Sequence, residues 1–199
     1  MGPTSCTVRM HLPCRRSCAA ALAVLLFVSA PLPAQKPSAS DKKALKDFTA
    51  KVKQYLAMEK ALPADKMKPS KDIAALEQER TTLREAVKAA RPNARQGDLF
   101  TPAAAAAFRT LLAQTMARPE GAKVRASLAH AEPGAPSNLT VNSVYPDLRG
   151  QPIQSVPPTL LMNLPVLPKG IEYRIAGKTL ALRDANANLV VDLLPDALP

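Results

Sequence analysis

Residues 171–194 read IEYRIAGKTLALRDANANLVVDLL, and this stretch decides the fold. Ile171, Tyr173 and Ile175 point one way along an extended backbone and Glu172 and Arg174 the other, the period of two that a half-buried strand requires. Gly177-Lys178 makes a turn into Thr179–Arg183. The run Asp184–Asn188, rich in residues that tolerate left-handed backbone or bond their own main chain, makes a second turn into Leu189–Leu193. The result is a three-stranded antiparallel meander.

Working back from the meander, the chain is helical. Leu45, Phe48, Val52 and Tyr55 recur at spacings of three and four, so they share one face of a helix that Ser40 caps and that ends before Pro63. Ser70 is placed to cap a second helix with Ile73, Leu76, Leu83 and Val87 on its apolar side, stopped by Pro92. Arg80 interrupts that side, and rather than a buried ligand for an anion it is expected to reach past the helix edge or to pair with an acid such as Asp47. Two such helices joined by the short connection 64–69 make a helical hairpin. Thr101-Pro102 opens a third helix as cap and first-turn proline, with Phe108, Leu111, Leu112 and Met116 on its apolar face. Ala103–Ala107 keeps its first turns thin, so another backbone can approach closely. A short fourth helix is expected around Lys123–Leu128.

Between the helices and the strands, Pro133, Pro136, Pro146, Pro152, Pro157, Pro158, Pro165 and Pro168 interrupt every regular run except a turn or two near Thr159–Asn163. A crossing segment fixed by proline is the reading. Pro165-Val166-Leu167-Pro168 has the spacing of a polyproline ligand, but here it leads the chain into the first strand. The expected fold class is therefore α+β in a single domain over 41–199, with helices over 41–130, the proline-rich segment over 131–170 and the meander over 171–194.

The N-terminus reads as an export signal. Arg9, Arg15 and Arg16 stand without any acid ahead of an apolar stretch from Cys18 to Ala30, and Leu32-Pro33-Ala34 offers small residues for cleavage. That core is about a dozen residues, against roughly twenty for a spanning helix, so the sequence predicts a cleaved signal over 1–34 and no transmembrane segment after its removal. Met10 serves equally well as the start. A flexible lead-in over 35–40 follows. Cys6, Cys14 and Cys18 are all the cysteines of the chain, so the mature part from Gln35 is cysteine-free. It is also basic: the 27 Lys and Arg of the whole chain become 24 once the three signal arginines are gone, against 16 acids, so net charge falls from +11 to +8. The expected location is the periplasm or the medium.

Chemistry is sparse in the mature chain. His130 is its one histidine, beside Glu132, which removes most routes to a zinc site or a histidine-activated nucleophile. The glycines from Gly97 onward fall singly at turns, and none forms a phosphate-cradling loop. No cofactor is expected. Asp98, Asp147, Asp184 and Asp192 lie in loops or at strand ends without a spacing that pairs them, and Asp98 is expected to favour the positive end of the third helix. Lys36–Lys71 holds ten lysines, four acids and no arginine. Phe48 and Tyr55 belong to the apolar stripe rather than to a base-stacking surface, which argues against nucleic acid. An anionic envelope surface suits this charge better. Asn138-Leu139-Thr140 fits a glycosylation acceptor and is given no weight.

Ala90-Arg91-Pro92, Ala94–Pro102, Leu164-Pro165 with Leu167-Pro168, Glu172-Tyr173-Arg174, and Leu182-Arg183-Asp184 before Asn188–Asp192 resemble an uncharacterised group of exported bacterial proteins. The resemblance runs over most of the mature chain. It implies one continuous unit from first helix to last strand, and no activity or catalytic residues.

Two functional expectations follow. The leading one is a non-enzymatic envelope module that binds another envelope component, a protein or an anionic surface. The competing one is a small carboxylate- and arginine-dependent enzyme with its site near Arg91, Arg95 and Asp98, of which Arg95 and Asp98 are the catalytic candidates.

Overall fold

A computed structural model of the chain describes residues 1–2, 37–63, 72–130, 139–146 and 156–198, the side chains of 129 and 130 excepted. The chain divides into two units, Met1–Pro33 and Ala34–Pro199, and the second holds all the regular structure described below. Its order is α1 (Ala39–Ala61), α2 (Ile73–Ala90), α3 (Pro102–Ala117), α4 (Gly121–His130), α5 (Pro158–Leu161), β1 (Ile171–Ala176), β2 (Thr179–Asp184) and β3 (Leu189–Leu194). The architecture is α+β, with helices first and an antiparallel sheet of order β1-β2-β3 at the C-terminal end. The signal-peptide pattern, Asn138 and Asp147 lie outside the described residues.

Helix α1 starts earlier than Ser40. Ser38 is its cap: the Ser38 hydroxyl accepts from Asp41 N–H at 3.1 Å, and the Asp41 carboxylate accepts from Ser38 N–H at 3.0 Å. This reciprocal capping box satisfies two end groups at once, so it wins over a lone serine two residues on, and it takes residues 38–40 out of the expected lead-in. Ser70 lies outside the described residues, and α2 is capped by Asp72, which accepts from Ala74 N–H at 2.9 Å.

The apolar stripes set the packing. Phe48, Val52 and Tyr55 of α1 are buried as the spacing requires, with Ala44, Leu56 and Glu59 beside them. Leu83 and Val87 of α2 are buried, but Ile73 is 73% exposed, so the stripe of α2 begins a turn or more later than its periodicity suggests. The close backbone approach of α1 is to α3 rather than to α2. Ala104, Ala105 and Ala107 make that approach available, since small side chains let two helices come together. At the centre, Phe48, Phe100 and Phe108 stack or meet edge to face with centroids 4.8–5.1 Å apart, and Tyr173 of β1 adds a fourth ring 6.0 Å from Phe108.

Gly121 turns the corner from α3 into α4. A Cβ there would stand 2.0 Å from the Met116 carbonyl oxygen, so the corner closes only over a hydrogen. In the sheet, Gly177 takes φ +60° at the first position of the two-residue β1–β2 turn, a conformation glycine adopts without strain. Opposite Leu182 and Arg183, β3 carries one extra residue: Leu182 pairs with Asp192 and Arg183 with Val190, leaving Val191 as a bulge. The bulge places Val191 and Asp192 in succession on the helix-facing side of the sheet.

Residues 139–145 of the proline-rich segment cover the outer face of the sheet, while Val156, Leu160 and Leu164 join the main core. Residues 142–145 pair with the free edge of β3, with Asn142 N–H donating to Val190 O, Val190 N–H to Ser143 O, and Tyr145 N–H to Asn188 O. Leu139 and Tyr145 close over Ala181, Val190 and Leu193 on the outer face, which makes a second, smaller apolar cluster.

Candidate functional site

Every carboxylate singled out in the sequence and described in the structure has a definite place. Asp192 is completely buried on β3. Its Oδ2 accepts from the N–H groups of Leu99 and Phe100, both at 2.7 Å, and its Oδ1 from Gly97 N–H at 2.8 Å and Leu193 N–H at 2.7 Å. Backbone dipoles gathered in this way hold an anion without a cationic side chain. The loop 94–101 that leads into α3 is thereby wrapped around the end of the sheet.

Asp184, at the end of β2, is equally buried. Its Oδ1 accepts from Asn186 N–H at 2.8 Å and Ala187 N–H at 3.0 Å, which shapes the β2–β3 turn, and its Oδ2 accepts from the Tyr55 hydroxyl at 2.7 Å. Burial raises the Asp184 carboxyl above its ordinary value, against the hydrogen bonds from Ala187, Tyr55 and Asn186 and the Arg183 charge, which lower it. Burial and the neighbouring Asp184 charge likewise raise the Tyr55 hydroxyl, so it remains a neutral donor. One helical turn further along α1, Glu59 is also fully buried, and its Oε1 accepts from Asn186 Nδ2 at 3.1 Å. Tyr55 and Glu59 therefore pin the C-terminal half of α1 to the β2–β3 turn.

The arginines proposed near a catalytic mouth do not converge. The Arg91 guanidinium lies over the Tyr55 ring, 5.0 Å from its centroid, and donates to Val191 O at 3.3 Å. Arg95 is 87% exposed, and its contact with Asp98 is local: Asp98 Oδ2 accepts from Arg95 N–H at 2.9 Å, with the guanidinium 3.8 Å from Oδ1. Asp98 thus closes a turn ahead of α3, whose N-terminus is capped by Thr101, its hydroxyl accepting from Ala104 N–H at 3.4 Å. Arg80 bonds Glu77 at 2.9 Å on its own helix, and Asp47 bonds Lys43 at 2.7 Å, so the Arg80–Asp47 pairing is not formed. Short-range partners on one helix face win because they need no second element. His130 closes α4, and its side chain is outside the described residues. Among the described residues no group of three His, Cys, Asp or Glu side chains is placed to hold a metal ion, and no helix is long and apolar enough to cross a membrane.

Sequence reasoning passed over a polar group on the outer face of the sheet. Arg183 lies over the Tyr145 ring at 5.3 Å and donates to Asn188 Oδ1 at 2.7 and 2.9 Å. Glu172 Oε2 accepts from both Arg183 and Arg174. The alternation of Glu172 and Arg174 shows that they share a face; the positive φ of Asn188, +49°, which brings its amide to Arg183, has no signature beyond the residue type.

Two surface features remain. An open groove of about 300 Å³ is lined by Val156, Leu161, Leu167, Ile171, Tyr173 and the Glu172–Arg174 pair, with Met162 (86% exposed) and Val166 (89% exposed) standing nearby in sequence. The polyproline spacing at Pro165–Pro168 falls here: Pro165 O accepts from the Tyr173 hydroxyl at 3.1 Å and Pro168 O from Ile171 N–H at 3.2 Å, so the segment is tied into the start of β1. The second feature is the exposed lysines of α1, Lys42, Lys43, Lys46, Lys51, Lys53 and Lys60.

No protein-family model matches this chain, and comparisons with curated proteins and with solved structures likewise find no match.

Proposed function

We propose that this protein is exported and that its mature part, from Gln35, is a non-enzymatic envelope module with a binding or structural role in the periplasm or outside the cell. The N-terminal basic, apolar and small-residue pattern supports export. The observation that carries the non-enzymatic half is the direction in which the acidic groups face. Asp184 and Asp192 turn inward onto backbone N–H groups and Tyr55, and Asp98 turns onto its own loop. Groups held this way fasten elements together; a general acid or base has to reach a substrate atom.

A thermal-shift screen of the chain from Gln35 onward tests the reading against metals, sugars, nucleotides and cell-wall fragments. A small ligand present at a hundredfold its Kd adds about 2.7 kcal/mol, which for a domain of this size raises Tm by about 5–10 °C. The expected result is one cooperative melt that none of the small ligands shifts. A reproducible rise that disappears in the double variant Arg95→Ala, Asp98→Ala would instead name a ligand class bound at that pair and favour the small enzyme.

A further inference from the structure

We propose that the outer face of α1 is a docking surface for an anionic phospholipid bilayer; this rests on the export reading above, because it needs the mature chain to meet an envelope membrane. Lys42, Lys46, Lys53 and Lys60 follow one another at spacings of four, seven and seven. At 100° per residue they lie within about 40° of arc and extend over about 27 Å of helix. All four are exposed.

The stripe is not neutralised from within. The nearest acids on α1 are engaged elsewhere: Asp41 in the capping box with Ser38, Asp47 with Lys43, and Glu59 buried against Asn186. No ion pair to the four lysines is formed among the described residues. The positions between them on the same side are Thr49, Ala50, Leu56 and Ala57, of which Leu56 is buried and the others are short. The lysines are therefore the tallest groups along a straight line, and a flat surface can touch all four at once. Buried Phe48, Val52 and Tyr55 lie on another side of the helix and hold it against α3 and the sheet, with buried Leu56 at the border of the stripe, so docking needs no rearrangement of the fold.

The chemistry of the stripe selects the occupant. Lysine ammonium groups are hydrated point charges without the planar fork that reads an individual phosphate or carboxylate. A row of them on a convex helix, with no aromatic side chain between, responds to a plane of negative charge. A bilayer rich in anionic headgroups is such a plane, and a cation near it gains by attraction that salt screens.

The test is co-sedimentation of the mature chain with phosphatidylcholine vesicles and with vesicles containing about a third phosphatidylglycerol. One variant carries Lys42→Gln, Lys46→Gln, Lys53→Gln and Lys60→Gln. A charge-matched control carries Lys51→Gln, Lys123→Gln, Lys169→Gln and Lys178→Gln, four exposed lysines off the stripe. The wild type and the control are expected to bind the anionic vesicles within a few-fold of each other, and the stripe variant on the order of a hundredfold more weakly. Raising salt from 0.1 to 0.5 M should release the wild type. Equal losses in both variants would show that net charge alone acts and overturn the proposal. So would equal binding to both kinds of vesicle, or binding to soluble polyphosphate with none to vesicles. Circular dichroism of each variant separates these outcomes from unfolding. A chain that is exported but fails this test refutes the membrane surface while leaving the envelope module intact.

Discussion

Replacing Asp192 with alanine is expected to cost about 4 kcal/mol of folding stability. The carboxylate receives the N–H groups of Gly97, Leu99 and Phe100, and removal leaves those donors facing a buried void. Each buried donor left without an acceptor costs roughly 1–3 kcal/mol. A domain of this size is stable by about 5–15 kcal/mol in total, so the variant should be near the edge of folding. Asparagine is the sharper probe. It fills the same space but turns one acceptor oxygen into a donor, which must then face either Gly97 or the Leu99–Phe100 pair. Asp192→Asn should therefore lose more than about 2 kcal/mol, read as a lower urea midpoint at unchanged slope. An asparagine variant within about 0.5 kcal/mol of wild type would show that the loop 94–101 does not depend on this anion.

The second large effect concerns Asp184 and has a different signature. Alanine at this position should cost about 3 kcal/mol, because the N–H groups of Asn186 and Ala187 and the Tyr55 hydroxyl all lose their acceptor. Asparagine should be much milder. Its oxygen still serves the two N–H groups, and the tyrosine hydroxyl can rotate to accept from the new amide. The pH dependence separates charge from geometry. Burial raises the Asp184 carboxyl in the folded state above its ordinary value of 3.8. Its contribution is thus fully present below that ordinary value and is lost as pH rises through the raised one. Asp184→Asn has no such loss, so its stability relative to wild type should improve as pH rises from the acid range to neutrality. Urea unfolding of the two proteins across this range measures it. If Asn is as damaging as Ala at every pH, the contact is not the one described.

The meander was legible in the sequence to within one residue at each end, because period-two alternation and turn residues at Gly177-Lys178 and Asp184–Asn188 agree with one another. The helices were legible for the same reason, and Phe48, Val52, Tyr55, Leu83 and Val87 lie where their spacing puts them. What escaped was long-range. Strict alternation from Leu189 places Asp192 on the outer face, and only the bulge at Val191 turns it inward. A bulge is fixed by the pairing of two strands, not by either one. The loop that receives Asp192 lies 92–95 residues earlier, and backbone N–H groups carry no residue signature. Tyr55 read as core, which it is, but its hydroxyl finds Asp184 across 129 residues, a contact that period and composition do not encode. Ile73 and Ser40 went the other way. Ser40 fits a local capping pattern that a better-connected neighbour, Ser38, takes over, and Ile73 fits the period of a stripe whose buried part, Leu83 and Val87, begins further along α2.

The candidate site divides along the same line. Arg91, Arg95 and Asp98 are neighbours in sequence, yet one lies over a tyrosine ring, one projects outward and one closes a turn. Closeness in the chain set no common direction for them. The lysine side of α1 was visible as a concentration of charge; the helix register turns that concentration into a straight stripe.

Delivery of the chain beyond the cytoplasmic membrane can be measured directly. The complete sequence is expressed in a Gram-negative host, the periplasm is released by osmotic shock, and the intact mass and N-terminal peptide of the product are determined. The expected product is a periplasmic protein that begins at Gln35. A product that stays in the cytosol and keeps the segment from Met1 or Met10 through Ala34 would contradict it.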